Sequence, residues 1–295
     1  MLPDTKTDLV QLHTDLRKYA EIAEVDFNDR AVSEMIDTFN EQYATGTITV
    51  RTTTQNAAKR TVNFRYMTPE LPHNPVATAR QKGLLKSSGH PVESMVDEVI
   101  DRLPLWWGVD ASVARGMEKA WAFFEEPPTF DELLELKYLP ESVRNHRERF
   151  AKVRLERFCI MAFDFHNGSM NLYSEMLTPG SFTRAEVAMM IQEMDAALPS
   201  DEEIGRDTEA VNAYYTFDWD VPQARRLCFA MTASEENFPK HWHPLAERFA
   251  VEAPFQAEQR GLIFNPTYGP TGGYLKVEAD YTGDAGPRVF SYWNR

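Results

Sequence analysis

The sequence predicts an α+β fold: a closed barrel of ten antiparallel β-strands with helices packed around the outside. Three observations predict it. Runs of alternating apolar and polar residues are joined by short turns, which is typical of antiparallel hairpins. These hairpins recur near residues 47, 116, 158, 211 and 260, and helical periodicity separates each from the next. Closing such a sheet removes its edges and encloses a polar face around a cavity.

Amphipathic helices supply the outer layer. Residues 7–24 place Leu12, Leu16 and Tyr19 on one stripe, and residues 32–43 repeat the spacing. Thr129-x-x-Glu132 and Thr183-x-x-Glu186 are capping boxes, which predict two further helix starts. The second of these helices carries a stripe from Val187 to Leu198. The remaining helices are predicted over residues 75–84, 92–103, 140–152 and 243–251.

The strands show a period of two. In residues 212–219, Tyr215 and Phe217 share an apolar face, while Tyr214 and Thr216 take the opposite, polar face. Asn167-Gly168 is a strong hairpin-turn signal. Strands are predicted over residues 47–53, 60–66, 116–124, 158–165, 169–176, 212–219, 225–231, 260–267 and 273–281.

Composition limits the possible functions. The chain has 295 residues, of which 43% are hydrophobic, and we expect residues 1–295 to form one domain. A net charge of −14 argues against nucleic-acid binding, because that affinity comes mostly from cations placed against phosphates. No apolar run is long enough for a membrane helix, and the N-terminus lacks the build of a signal peptide. We therefore expect a soluble, cytoplasmic monomer.

Neither the cysteines nor the histidines predict a metal site. Cys159 and Cys228 lie in apolar strand-like runs, which is typical of reduced structural thiols. His241-x-His243 has no further ligand at a suitable spacing, and we expect it at the surface.

Five cations and three neutral polar side chains share the non-helix face of the strands. In an acidic protein, their convergence predicts an anionic ligand, and a diphosphate suits Lys and Arg because charge-assisted hydrogen bonds to its oxygens are strong. Each residue taken singly could instead be a solvated position on a one-sided sheet. The set is Arg51, Arg65, Lys119, Arg226 and Lys276 with Asn171, Tyr173 and Tyr214.

Three aromatic residues lie on the same face. Trp121, Tyr173 and Tyr214 could stabilise a cation over their rings, although aromatic residues in strands also serve simply as packing. Cations for a diphosphate and rings for a carbocation together predict ionisation of an allylic diphosphate, followed by attack from an electron-rich partner.

The chain resembles the ABBA aromatic prenyltransferases, or PT-barrel family, which includes clorobiocin- and naphterpin-pathway enzymes. The resemblance runs nearly end to end and is best over residues 83–91, 116–124, 171–173 and 226–229. It implies a ten-stranded barrel of repeated ααββ units. It also implies that Trp121 and Tyr173 lie near the allyl chain. The residues that match the family's diphosphate-binding positions are Arg51, Arg65, Lys119, Asn171, Tyr214, Arg226 and Lys276.

Two departures from the family pattern concern the metal and the acceptor. Asn63 replaces the aspartate of the magnesium-dependent members, and a neutral amide is a poor ligand for a hard cation, so we expect no Mg²⁺ or other cofactor. Cys159 occupies the position of an arginine that holds a substrate carboxylate in the clorobiocin-type enzyme. Glu278 matches an acceptor-side glutamate, and it could equally form a salt bridge. Asn212 and Asp280 are further candidates for acceptor binding.

We therefore predict transfer of a dimethylallyl group from dimethylallyl diphosphate to a carbon of a phenol, naphthol, indole or phenazine. Glu278, Tyr214, Tyr173 and Trp121 are the candidate catalytic residues. The released proton could leave to water, to diphosphate or to Glu278. Two alternatives stay open: use of geranyl diphosphate, and a non-catalytic barrel that binds an anionic aromatic or isoprenoid ligand.

Overall fold

A computed structural model describes residues 6–71 and 73–294. The N-terminal segment considered for a signal peptide begins outside these residues. The described helices are α1 Leu9–Ala23, α2 Asp29–Thr38, α3 Asn40–Thr45, α4 Pro75–Lys82, α5 Pro91–Arg102, α6 Phe130–Leu134, α7 Glu141–Arg144, α8 Arg147–Lys152, α9 Arg184–Gln192, α10 Asp201–Asp207 and α11 Pro244–Glu252. The strands are β1 Thr47–Thr53, β2 Asn63–Met67, β3 Leu105–Ser112, β4 Gly116–Phe124, β5 Phe158–Asp164, β6 Ser169–Ser174, β7 Asn212–Asp218, β8 Ala224–Ser234, β9 Gly261–Tyr268 and β10 Tyr274–Asp280.

The ten strands form a closed antiparallel barrel in the order β1-β10-β9-β8-β7-β6-β5-β4-β3-β2, which confirms the predicted fold class. Helices precede every hairpin, so the implied α-then-ββ repeat is present, with two or three helices in four units and α11 alone in the fifth. Because each unit ends in a hairpin, all five short turns lie at one end of the barrel. The helical connections lie at the other end.

The side chains on the outward face of the sheet and those of the covering helices form the main hydrophobic core. Phe64, Phe163 and Phe217 are fully buried in it beneath the helices, each contributing about 2 kcal/mol through burial of its ring. The alternation in residues 212–219 is confirmed: Tyr215 belongs to this core, while Tyr214 lies among the residues inside the barrel.

The two capping boxes and the Asn-Gly turn form the structures that the sequence predicts for them. Both predicted capping boxes form, with Thr129 and Glu132 before α6 and Thr183 and Glu186 before α9. Gly168 closes the Asn-Gly turn at a φ of +59°, a conformation that favours glycine. A Cβ atom there would also lie 2.8 Å from the His90 ring, so the ring would have to shift to admit any other residue.

Several boundaries differ from the predictions. Residues 32–43 form α2 and α3 rather than one helix, because the chain bends at Phe39. Residues 140–152 likewise form α7 and α8. The second predicted strand begins at Asn63 rather than at residue 60, since residues 57–59 form a 3₁₀ turn. Helix α9 ends at Gln192, which leaves Leu198 outside it and 45% exposed.

Some elements were not predicted. Among them, helix α10 begins at a capping box formed by Ser200 and Glu203. Strand β3 carries Trp106 and Gly108 on its inner face, so its apolar and polar residues do not alternate cleanly. A C-terminal segment also folds as a π-helical turn, Ala285–Phe290, and a 3₁₀ turn, Tyr292–Asn294. Trp293 from this segment stacks near Trp106 and Phe123, so the segment closes the barrel end opposite the hairpin turns.

None of the described helices is both long enough and apolar enough to cross a membrane. Both cysteines of the chain are described, and both are buried without a disulfide, in agreement with the prediction.

Candidate active site

Two adjoining cavities lie inside the barrel. We call the first the mouth; it has a volume of about 380 Å³ and lies at the end with the hairpin turns. The second, the chamber, is a smaller space of about 60 Å³ deeper in the barrel. Arg51 lines both. The mouth is lined by Arg51, Thr53, Gln55, Ala58, Lys59, Arg60, Thr61, Asn63, Arg115, Glu118, Lys119, Asp164, His166, Asn167, Asn171, Arg226, Tyr274 and Lys276. The chamber is lined by Arg51, Arg65, Met67, Trp121, Phe123, Ile160, Tyr173, Met176, Val211, Asn212, Tyr214, Ala230, Thr232, Ile263, Asn265, Glu278, Val289 and Phe290.

The mouth gathers five of the seven predicted diphosphate-binding residues: Arg51, Lys119, Asn171, Arg226 and Lys276. Of the described residues that line it, seven are Lys or Arg and two are carboxylates, Glu118 and Asp164. Low-dielectric walls strengthen the resulting positive potential. The mouth therefore suits a multiply charged anion.

Neighbouring side chains hold the mouth cations in position. Lys119 pairs with Asp164 at 2.8 Å, and Arg226 donates to the hydroxyl of Tyr274 at 2.9 Å. Burial would raise the pKa of Asp164, but Lys119 and the amide groups of Asn167 hold that pKa at about 2. Asp164 thus stays ionised and fixes the position of Lys119 in the mouth lining.

Lys276 is the cation most affected by its surroundings. Its Nζ donates to the Tyr214 hydroxyl at 3.0 Å and to Cys228 Sγ at 3.1 Å. Burial lowers the pKa of Lys276 to about 7; the Cys228 sulfur opposes this shift, and the charges of Arg226 and Arg51 add to it. A bound anion would favour the protonated amine, so ligand binding and protonation of Lys276 are coupled.

Aromatic rings separate the mouth from the chamber. Tyr173 and Tyr214 come from directly paired positions on β6 and β7, and their rings stack 4.2 Å apart. The Trp121 ring lies 5.2 Å from that of Tyr173. Tyr214 spans the boundary, because its ring lines the chamber while its hydroxyl accepts from Lys276 in the mouth. The Tyr214 side chain therefore lies between the two cavities and contacts both.

Arg65 lines the chamber rather than the mouth, unlike the other predicted diphosphate-binding cations. Its guanidinium contacts Glu278 at 3.2 Å and Asp110 at 3.4 Å. It also lies over the Trp121 ring, 4.3 Å from the centroid. Tyr214, the seventh residue of the predicted set, reaches the mouth only through its hydroxyl.

Of the four predicted acceptor residues, Glu278 and Asn212 line the chamber. Cys159 is fully buried outside the described lining, and its thiol contacts the Ser174 carbonyl at 2.9 Å. Asp280 accepts from the backbone N–H groups of Gly283 and Ala285, each at 2.9 Å. Burial raises the pKa of Asp280 to about 7. These contacts connect Asp280 to the C-terminal segment instead of to the chamber.

Asn63 lies in the mouth with both ends of its amide engaged. Its Nδ2 donates to Glu118 at 2.8 Å, and its Oδ1 accepts from the Thr61 hydroxyl at 2.8 Å. Arg115 pairs with the same Glu118. Within residues 6–71 and 73–294, no three His, Cys, Asp or Glu residues are grouped so as to hold a metal ion. His243 caps α11 instead, its Nδ1 accepting from the Leu245 N–H at 3.1 Å.

Sequence comparison decides the family. The profile of the family described as aromatic prenyltransferase Orf2 matches residues 7–293. The chain belongs to this family. A 5,10-dihydrophenazine-1-carboxylate 9-dimethylallyltransferase of Streptomyces anulatus is 24% identical, with 92% of each chain covered. A 4-hydroxyphenylpyruvate 3-dimethylallyltransferase of Streptomyces niveus is also 24% identical, with 97% of this chain and 88% of the relative covered.

Solved structures agree on the fold. The 6-dimethylallyltryptophan synthase from Micromonospora olivasterospora, in complex with DMASPP and Trp, superposes with a TM-score of 0.57 at 12% identity. The match covers 92% of this chain and 97% of the other. The resemblance to the ABBA aromatic prenyltransferases is confirmed, and the protein is an enzyme of the prenyl-transfer type.

Three acidic residues of this prenyltransferase site were not predicted from the sequence. Glu118 is the extra residue of a β-bulge, between Met117 and Lys119, so it lines the mouth although strict alternation would turn it outward. Asp110 lies on the unpredicted strand β3, where it sits opposite Lys119. Asp164 closes the predicted strand 158–165 and shares a face with the mouth residues, so alternation could have found it.

Proposed function

We propose that this prenyltransferase moves a dimethylallyl group from dimethylallyl diphosphate to a carbon of an aromatic acceptor. One observation carries the proposal: a cation-rich mouth adjoins an aromatic chamber, and Tyr214 takes part in both. The diphosphate occupies the mouth and the reacting carbons occupy the chamber. In this arrangement the cations of the mouth face the negative diphosphate, and the aromatic rings of the chamber face the carbocation.

The reaction begins when the allylic C–O bond breaks and its electron pair leaves with the diphosphate. Lys119, Arg226 and Lys276 stabilise the charge that develops on the leaving group. The allyl cation then lies among the rings of Trp121, Tyr173 and Tyr214, whose negative faces stabilise it and which keep water away.

An aromatic carbon of the acceptor donates its π electrons to the allyl cation, which forms the new C–C bond. The ring regains aromaticity when the proton on that carbon leaves. Water, the released diphosphate and Glu278 are the available bases, and Glu278 is the one that lines the chamber.

A five-carbon donor is favoured over a ten-carbon donor. The chamber walls include large rings, such as those of Trp121, Phe123 and Tyr173. A geranyl chain would have to displace more of these side chains than a dimethylallyl chain.

The proposed reaction needs no metal ion. Asn63 supports this part of the proposal, because its amide is neutral and already hydrogen-bonded to Thr61 and Glu118. The cations of the mouth would then neutralise the leaving diphosphate without Mg²⁺.

We also propose that residues 1–295 act as one domain, as a monomer in the cytoplasm. The large hydrophobic side chains that are exposed lie on separate segments, such as Val10 on α1 and Val221 in the turn after β7. Light scattering of the purified protein tests the monomer, and a mass twice that of the chain would contradict it.

The test is incubation of the full chain with dimethylallyl diphosphate or geranyl diphosphate and a panel of phenols, naphthols, indoles and phenazines, in EDTA. We expect equal amounts of diphosphate and C-prenylated product from the five-carbon donor. Tight binding without diphosphate release would favour a carrier. Activity that disappears in EDTA and returns with Mg²⁺ would overturn the metal-free reaction.

A further inference from the structure

The two terminal nitrogens and one face of the Arg65 guanidinium are occupied in the chamber. One nitrogen, Nη1, contacts Glu278 Oε1 at 3.2 Å, and the other, Nη2, contacts Asp110 Oδ2 at 3.4 Å. The Trp121 ring covers its plane. The exposed fractions of the Arg65 and Glu278 side chains are 6% each, and that of Asp110 is zero. Within residues 6–71 and 73–294 the Arg65 Nε–H has no hydrogen-bond partner, so Arg65 could offer a further anion this single N–H but neither of its paired terminal nitrogens.

The charges around the chamber balance. Arg51, the other cation in the described lining, shares Asp110 Oδ2 with Arg65 at 3.4 Å. Two arginines thus face two carboxylates, Asp110 and Glu278. A carboxylate on the acceptor would add a buried negative charge that the two arginines, already offset by two carboxylates, do not balance, close to a diphosphate that is itself negative. To hold that carboxylate through both terminal nitrogens, Arg65 would have to give up its contacts with Glu278 and Asp110.

The remaining polar groups of the chamber match a neutral ligand that donates hydrogen bonds. Asn212 is 5% exposed, and its Oδ1 has no hydrogen-bond partner among residues 6–71 and 73–294. An unpaired buried acceptor of this kind favours an N–H or O–H group on the ligand. The indole N–H of Trp121, also unpaired within the described chain, suits a neutral oxygen but cannot neutralise a carboxylate.

On the basis of the proposed function, we propose that the Arg65–Glu278 pair selects acceptors that carry no carboxylate. The substrate class is an uncharged phenol, naphthol or nitrogen heterocycle whose O–H or N–H donates to Asn212 and Glu278. The acceptor would then differ from the dihydrophenazine-1-carboxylate named for the Streptomyces anulatus relative.

The experiment compares three ligands that share one ring system: 1-naphthol, 1-hydroxy-2-naphthoate and the methyl ester of that acid. The ester has the size of the acid without its charge. With dimethylallyl diphosphate, we expect kcat/KM for 1-naphthol and for the ester to exceed that for the carboxylate at least tenfold. Calorimetry with the donor's thiolodiphosphate analogue bound should give the same order of affinities, so the comparison does not depend on turnover.

Glu278→Gln tests the mechanism of selection. Removing this carboxylate leaves Arg65 free to pair with the acid, so the ester-to-carboxylate ratio of affinities should fall at least tenfold. Glu118→Gln is the matched control, because it removes a mouth carboxylate that has no contact with Arg65. In that variant the ratio should stay within twofold of the original.

Equal affinity for ester and carboxylate, failure of both to bind, or an equal change of the ratio in the two variants would each overturn the inference. The proposed function fails in a different way, when no acceptor of the wider panel yields product from either donor.

Discussion

The mouth and the chamber are two halves of one barrel interior, built from the same strands, and they differ most in charge. The mouth has seven Lys or Arg residues and two carboxylates in its described lining. In the chamber, by contrast, Arg51 and Arg65 are balanced by Asp110 and Glu278. Under the proposed function, this difference in charge lets one end of the barrel bind the diphosphate and the other end shelter the carbocation.

The position of a residue along its strand determines whether its side chain lines the mouth or the chamber. On β4, Lys119 lines the mouth, and Trp121, two residues further, lines the chamber. On β10, Lys276 and Glu278 divide in the same way. These two strands thus each contribute one residue to the mouth and, two residues further, one to the chamber.

Removing a mouth cation should have the largest effect. We expect Arg226→Ala or Lys119→Ala to lower kcat/KM for the donor by about 30- to 1,000-fold, since one preorganised charge contact in such a site is worth about 2 to 4 kcal/mol. Steady-state kinetics measure the loss. Lys152→Ala on the exposed face of α8 is the control and should stay within twofold. Near-normal kinetics in both mouth variants would show that the mouth does not take part in the reaction.

Removing a chamber ring should change the product more than the donor affinity. In Trp121→Leu or Tyr173→Leu, the carbocation loses a stabilising ring worth about 0.5 to 2 kcal/mol, which corresponds to about 2- to 30-fold in rate. Water would also reach the carbocation. We expect more dimethylallyl alcohol per prenylated product, measured by gas chromatography. Tyr173→Phe keeps the ring and should retain the original ratio; an unchanged ratio in the leucine variants would contradict the role of the chamber.

Donor binding should depend on pH through Lys276. Its pKa is lowered to about 7, so the amine is charged below pH 7 and loses its charge above it. We therefore expect kcat/KM for the donor to fall above pH 7 by as much as about tenfold per pH unit. Lys276→Gln should lack this step.

Cys228→Ala tests in a second way whether Lys276 causes the pH dependence. The Cys228 sulfur raises the pKa of Lys276, in opposition to burial, so its removal should move the step to lower pH. A step that stays in place in Cys228→Ala, or that persists in Lys276→Gln, would assign the pH dependence to another group.

The smallest change concerns Asn63. Asn63→Asp would put a second carboxylate beside Glu118, which already pairs with Arg115. We expect an activity loss of only a few-fold in EDTA, recovered by Mg²⁺, while the original protein responds to neither. Loss without recovery would show that two carboxylates here do not suffice to hold the ion.

Strand alternation predicted most of the mouth but not the boundary with the chamber. It brought Arg51, Lys119, Arg226 and Lys276 together, because residues of one parity face one side of a sheet. Alternation carries no information on depth, however, so it grouped Arg65 with them although Arg65 pairs with Glu278 in the chamber.

Irregular backbone accounts for the other omissions. The bulge at Glu118 reverses the expected parity. A second irregularity lies at Cys159, between Phe158 and Ile160, and the Cys159 thiol is buried against the Ser174 carbonyl and Asn212. The C-terminal segment has no strand or helix periodicity, so nothing in its sequence predicted that Phe290 would line the chamber. Hydrogen-bond partners such as the Asp280 contacts with Gly283 and Ala285 depend on the tertiary fold.

The division of the barrel interior is tested most directly by a crystal structure of the protein with dimethylallyl S-thiolodiphosphate, which binds as the donor but ionises slowly. We predict the diphosphate in contact with Lys119, Arg226 and Lys276, and the allyl carbons among the rings of Trp121, Tyr173 and Tyr214. A diphosphate held by Arg65 inside the chamber, with the allyl carbons directed towards the hairpin turns, would contradict the account.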